Sequence, residues 1–253
     1  MPRPPEVFAV PESLPEVTRR LVAEYLPEAG PGPRTRPAEL LNELIRTILG
    51  QQNTRDAAGR QFRALKAAYG RWEAALLDGP DGIEATLKAA GGGLHRAKAA
   101  HLHGLLSALA GQAGDEDRAL GLDGLATLDD EGARAALQRL PGVGRHTANL
   151  MLLFDLGRAA MPVEGHLDRL ARRLGWVPDG WAGARVERWY DSVTPRTHGA
   201  RWALHVGGVR HGRATCTPRH PRCDHCVLAD LCPSAALLGP GTRTPQTAAI
   251  LGP

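Results

Sequence analysis

All four cysteines of the chain, Cys216, Cys223, Cys226 and Cys232, fall between positions 216 and 232 in the pattern C-x6-C-x2-C-x5-C. A chain that gathers its thiols this way must fold so that one short loop wraps a single centre. Thiolates are soft, electron-rich donors suited to an iron–sulfur cluster or to zinc. Structural disulfides would need an oxidising compartment, and the start Met1-Pro2-Arg3-Pro4-Pro5-Glu6 lacks the basic region, apolar core and cleavage site of an export signal. Two Cys-x2-Cys knuckles favour tetrahedral zinc. Here there is one, followed by a wider gap, so a [4Fe–4S] cluster is expected and zinc is the rival.

The rest of the sequence reads as helical. Apolar residues recur at i, i+3 and i+4 in Val17–Leu26, Leu40–Leu49, Ala57–Ala68, Leu102–Leu109 and Ala133–Leu140, and regular strand alternation is missing. The expected fold class is all-α, with roughly ten to twelve short helices. Pro31-Gly32-Pro33, Asp78-Gly79-Pro80-Asp81-Gly82 and Gly91-Gly92-Gly93 punctuate them. Gly111–Gly132 reads as a long connection with one helical turn, and residues 1–12 and 234–253 as poorly ordered ends. No run of about 18 uncharged apolar residues exists, so a soluble, cytoplasmic protein without membrane contact is expected.

Thirty-one basic against 27 acidic residues give a net charge of +4 and a pI near 9.1, a mild excess consistent with a polyanionic partner. The only lysines are Lys66, Lys88 and Lys98, so 31 − 3 = 28 of the cations are arginines. No side chain after Lys98 carries a primary amine.

Leu140-Pro141-Gly142-Val143-Gly144-Arg145-His146-Thr147-Ala148-Asn149 places two glycines at turn positions between amphipathic segments. It reads as a helix-hairpin-helix. Gly142 and Gly144 free the backbone so that successive N–H groups at the next helix start can converge on one phosphate oxygen, a contact blind to sequence. Shortly after, Met161-Pro162-Val163-Glu164-Gly165-His166-Leu167-Asp168-Arg169 sets a carboxylate just before another helix.

The cysteine spacing together with Leu-Pro-Gly-Val-Gly-Arg-x-Thr-Ala-Asn resembles the endonuclease III branch of the helix-hairpin-helix DNA glycosylases, over about Glu12 to Pro233. The resemblance implies a six-helix barrel with the hairpin at 36–158 and a cluster domain made of 13–35 and 159–233, with DNA in the cleft between them. It implies base excision repair by a monomer acting on double-stranded DNA that carries a damaged base, in the nucleoid. Gln52, in Gly50-Gln51-Gln52-Asn53, matches the glutamine that fills the hole left by the extruded nucleotide. Leu94, in Gly93-Leu94-His95-Arg96, matches the leucine that wedges into the opposite strand. Leu140, Gly142, Val143, Gly144 and Arg145 match the hairpin that grips DNA, and Arg219 and Arg222 stand where the family presents basic residues to the backbone.

The pattern breaks at two positions. Bifunctional members attack the sugar C1′ with a lysine immediately after Gly-x-Gly-Arg, and here that residue is His146. An imidazole cannot form the iminium that leads to strand cleavage, although it can act as a base. The family's aspartate is replaced by Glu164, with Asp168 one turn onward as a possible substitute. The expectation is a glycosylase that uses Glu164 and His146 and has weak or no lyase activity. A weak bifunctional enzyme and a non-catalytic lesion binder are the alternatives. His95 stands where the family more often has tyrosine, so thymine glycol, oxidised pyrimidines, uracil mismatches and alkylated bases all stay open as substrates.

Overall fold

The structure is a computed structural model and describes residues 8–26, 39–113 and 120–238. It is helical throughout, with no strand among the described residues. The chain divides into two compact units, one of Pro33–Arg158 and the other of Met1–Gly32 with Ala159–Pro253.

The central unit holds six helices: α2 (Leu40–Gly50), α3 (Arg55–Ala68), α4 (Trp72–Ala90), α5 (His95–Ala113), α6 (Asp130–Gln138) and α7 (Arg145–Leu150). On α2, Leu40, Leu41, Leu44, Ile45, Ile48 and Leu49 are all buried, a stripe at helical spacing that makes this helix the apolar axis of the unit. Helix starts follow their caps. The Thr54 hydroxyl accepts from the Ala57 N–H and the Asp129 carboxylate from the Gly132 N–H, satisfying orphan donors of α3 and α6. Within α4 the punctuation read at 78–82 appears as a kink, where Gly79 takes φ +80° ahead of Pro80. Helix α7 runs on into a π-helical turn, Met151–Asp155, whose Met151, Leu152 and Leu153 are buried.

The presumed long connection 111–132 is shorter than its glycines suggest. Helix α5 persists to Ala113, a 3-10 turn spans Asp123–Thr127 and α6 begins at Asp130. The remainder, 114–119, lies outside the described residues.

The other unit is built from α1 (Leu14–Tyr25), α8 (Gly165–Arg173), α9 (Gly183–Val193), α10 (His198–Ala214) and α11 (Ala235–Leu238). Its core joins Leu14, Val17 and Leu21 of α1 to Leu167 and Leu170 of α8, Trp189 and Tyr190 of α9 and Leu204 of α10. Close approach depends on missing side chains along α10. A Cβ at Gly208 would sit 2.9 Å from Leu167, and one at Gly212 would sit 2.6 Å from the His166 ring. Of the ends expected to be unordered, Phe8 packs on Trp181 and residues 235–238 form a helical turn, while 1–7 and 239–253 lie outside the described residues.

Candidate functional site

Between α6 and α7 the hairpin takes the shape its glycines permit. Gly142 has φ +79°, and a Cβ there would lie 2.9 Å from His101, so any other residue would be both strained and crowded. Leu140 and Val143 are 5% and 6% exposed. Their side chains anchor the turn in the core, and the Val143 N–H is taken by the Leu140 carbonyl at 3.1 Å. What the hairpin can offer a ligand is therefore backbone: Gly144 is the N-cap of α7, and the first N–H groups of a helix have no partner within it. Arg145 is half-buried.

Two neighbouring turns stand out by conformation. Among the described residues the only non-glycines with positive φ are Gln52, at +46°, and Leu94, at +57°. Holding an L-residue in this region costs on the order of 1–2 kcal/mol, and such strain gathers at functional positions. Both side chains are exposed, Leu94 at 48%. The turns adjoin, since a Cβ on Gly93 would lie 3.8 Å from the Gln52 carbonyl. Their support is polar. The Asn53 amide donates to the Leu49 carbonyl at 3.2 Å and the Gln61 side-chain oxygen at 3.0 Å, and the Lys98 ammonium donates to the same Leu49 carbonyl at 2.7 Å. Lys98 is 2% exposed, and burial holds its pKa below the usual lysine value.

This strain carries a testable consequence. Replacing Leu94 by glycine removes an exposed side chain and relieves the left-handed backbone, so the protein should melt no lower than wild type. The wedge role that the resemblance implies for Leu94 predicts, in addition, a fall of about tenfold or more in preference for duplexes with an abasic site over intact ones. A thermal melt and a binding titration read the two effects separately.

His146 is the second residue of α7, half-buried, and its Nδ1 is enclosed with no hydrogen-bond partner. His95, at the start of α5, has an orphaned Nε2 in the same condition. An enclosed, unpaired ring nitrogen costs about 1–3 kcal/mol. Glu164 is the N-cap of α8 by position, yet its half-buried carboxylate makes no bond to the helix amides. Asp168 is different: its two oxygens accept from Arg172 Nε and Nη2, each at 2.8 Å. That bidentate pair engages both of its oxygens, unlike those of Glu164, in holding α8. His166 is held below the usual imidazole pKa by burial, with the Glu164 charge acting in the opposite direction.

The four cysteines line one partly open hollow, together with Leu170, Arg173, Leu174, His211 and Leu228. Burial raises the Cys223, Cys226 and Cys232 thiols, Cys226 to about 11, and each would repel a neighbouring thiolate, so the set ionises together only around a positive centre. Donors already face the sulfurs. Arg173 Nη1 lies 3.0 Å from Cys216 Sγ and the Leu228 N–H lies 3.4 Å from Cys226 Sγ. Burial also pushes His211 down to about 4, keeping the ring beside Cys226 neutral. No three His, Cys, Asp or Glu side chains among the described residues are grouped to hold a single ion. Four thiols around one hollow are a donor set for a cluster or for zinc, and the single Cys-x2-Cys knuckle followed by a wider gap favours the cluster.

The cluster loop is tied to α8, a link that sequence reading missed. Arg169 Nε donates to the Cys216 carbonyl at 2.8 Å, and Arg173 reaches the Thr217 and Pro218 carbonyls, each at 3.0 Å. The loop closes through the Arg222 N–H on the Thr215 carbonyl at 3.0 Å. Arg219 and Arg222 project from it as exposed side chains.

Residues 216–232 match the iron–sulfur binding domain of endonuclease III. Endonuclease III of Treponema pallidum is 44% identical over 100 residues, 38% of this chain and 44% of that protein. The Escherichia coli K12 enzyme is 39% identical over 99 residues, covering 39% and 46%. A putative DNA glycosylase of Arabidopsis thaliana is 31% identical over 144 residues, covering 57% and 47%. The chain thus spans under half the length of these relatives. Among solved structures, a non-covalent endonuclease III–DNA complex superimposes with a TM-score of 0.69 at 23% identity, over 89% of this chain and 96% of that one. A thermostable thymine-DNA glycosylase gives 0.67 at 19% identity, over 89% and 97%. The chain thus resembles endonuclease III in two respects: it shares the all-α, two-domain fold of the solved complex, and residues 216–232 match the iron–sulfur binding domain, whose four cysteines are the ligand set for a [4Fe–4S] cluster.

Proposed function

We propose that this protein is a base excision repair glycosylase of the endonuclease III type, which extrudes a damaged nucleotide from duplex DNA and hydrolyses its N-glycosidic bond without cutting the strand. The observation that carries the reading is conformational: Gln52 and Leu94, to which the resemblance assigns plug and wedge, are the non-glycines kept in left-handed backbone among the described residues. Extrusion costs a few kcal/mol of stacking and pairing, and side chains that replace the lost contacts offset it.

The uncapped carboxylate of Glu164 is the catalytic group. It faces the positive charge that develops on the sugar as the C1′–N bond breaks and its electron pair leaves with the base. It then takes a proton from the water whose oxygen bonds to C1′. His146 holds the place of an amine, so no covalent imine forms and the product is an intact strand with an abasic site. The cluster, when bound, would supply structural bonding: Cys216, Cys223, Cys226 and Cys232 would hold it, and it would pin the loop that presents Arg219 and Arg222 to phosphates.

The test is base release from duplexes carrying one defined lesion each, with free base measured directly. Release from at least one lesion supports the reading, and binding without release across the set leaves a damage binder instead. Phosphate contact has its own signature. Affinity should fall steeply with salt, and the double variant Arg219→Ala, Arg222→Ala should lower the slope of log K against log salt by about two, near 0.9 per contact.

A further inference from the structure

Gln51, unlike its neighbour Gln52, was singled out by no motif. It is the C-cap of α2 and directly precedes the left-handed residue. Its side-chain amide donates to the Gly142 carbonyl at 3.0 Å and to the Thr147 hydroxyl at 3.2 Å, crossing 91 and 96 residues of chain. A carbonyl oxygen can only accept, so the NH2 end must face the hairpin and both of its hydrogens are used. The peptide joining Gly142 to Val143 is thereby fixed at both ends, its C=O by Gln51 and its N–H by the Leu140 carbonyl. Thr147 lies in the first turn of α7 and is buried, so Gln51 spans the two sides of the hairpin turn. On the far side, Asn53 and Lys98 clamp the end of α2 through the Leu49 carbonyl.

We propose that Gln51 is a positioning residue that locks the inserting turn to the hairpin, so that gripping a phosphate and presenting Gln52 to the vacated space are one rigid act. The inference rests on the base-extruding reading above. Without this brace, Gln52 sits on a turn whose strained backbone can relax to ordinary φ and swing the side chain away.

The experiment compares binding of the full, cluster-loaded chain to a duplex with a tetrahydrofuran abasic analogue and to the intact duplex, with 2-aminopurine opposite the analogue reporting insertion. Gln51→Leu and Gln51→Glu both remove the donor, and the second keeps length and shape while setting oxygen against oxygen. Each should reduce preference for the abasic duplex about tenfold, the equivalent of about 1.4 kcal/mol and one lost hydrogen bond, and should abolish the emission change. Because Gln51 acts through Gln52, adding Gln51→Leu to Gln52→Ala should reduce the preference no further. Multiplying losses, or full preference and emission change in Gln51→Glu, overturn the proposal. So does an equal loss on both duplexes accompanied by early melting in both variants. Wild-type protein that binds the two duplexes equally removes the base-extruding reading itself, and this inference with it.

Discussion

Glu164→Gln is expected to slow single-turnover base release by about 10²–10³-fold, the range lost when one preorganised charge-stabilising group is removed from a reacting centre. The substitution keeps volume and hydrogen-bonding shape and deletes only the charge and the basic oxygen. Because the Glu164 side chain makes no bond to the α8 amides, the fold loses no capping bond by it, only the attraction of the charge to the helix start, about 0.3–1 kcal/mol. The melting temperature should therefore fall little while the rate collapses. Contrast Asp168, whose loss would strand Arg172, a residue that also donates to the Pro178 and Trp181 carbonyls. Asp168→Asn should lower stability more than it alters chemistry. A Glu164→Gln rate within about threefold of wild type would place the catalytic carboxylate elsewhere.

His146→Lys is expected to create an imine-forming lyase activity, which the proposed mechanism denies to the wild-type protein. An amine in the first turn of α7, partly desolvated beside the unpaired donors of a helix start, has its pKa lowered and a larger neutral, nucleophilic fraction. On a duplex with a preformed abasic site, the lysine nitrogen would add to C1′, lose water to give the iminium, and allow β-elimination of the 3′ phosphate. Borohydride would reduce the iminium to a stable protein–DNA adduct. Using an abasic duplex makes the test independent of which base the enzyme removes. Trapped adduct and strand cleavage from the variant, with neither from wild type, are the expected results; a variant as inert as its parent means that position 146 does not reach the sugar.

What the sequence disclosed was mainly what local chemistry fixes. The α2 stripe, the Gly79–Pro80 kink, the hairpin glycines and the thiol spacing each follow from residues within a few positions of one another. The reach of α5 through Gly111 was underestimated because one glycine weakens a helix by only about 1 kcal/mol, which strong helix formers on both sides outweigh. The Asp168–Arg172 pair stood at i, i+4 and was readable from spacing alone. Tertiary chemistry was hidden. Nothing in Gln51-Gln52-Asn53 announces a left-handed residue or a bond to the hairpin, because both exist only once α2, α5 and α7 have packed. The arginine ties from α8 to the 216–218 carbonyls were concealed for the same reason: a backbone carbonyl as partner leaves no trace in residue identity.

The most direct measurement takes a duplex from which the protein releases a base and resolves the strands on a denaturing gel with and without alkali, alongside a borohydride-treated sample. An enzyme that hydrolyses the glycosidic bond without an amine predicts breaks that appear only after alkali and no trapped complex. Breaks without alkali, together with a protein–DNA adduct, would contradict it.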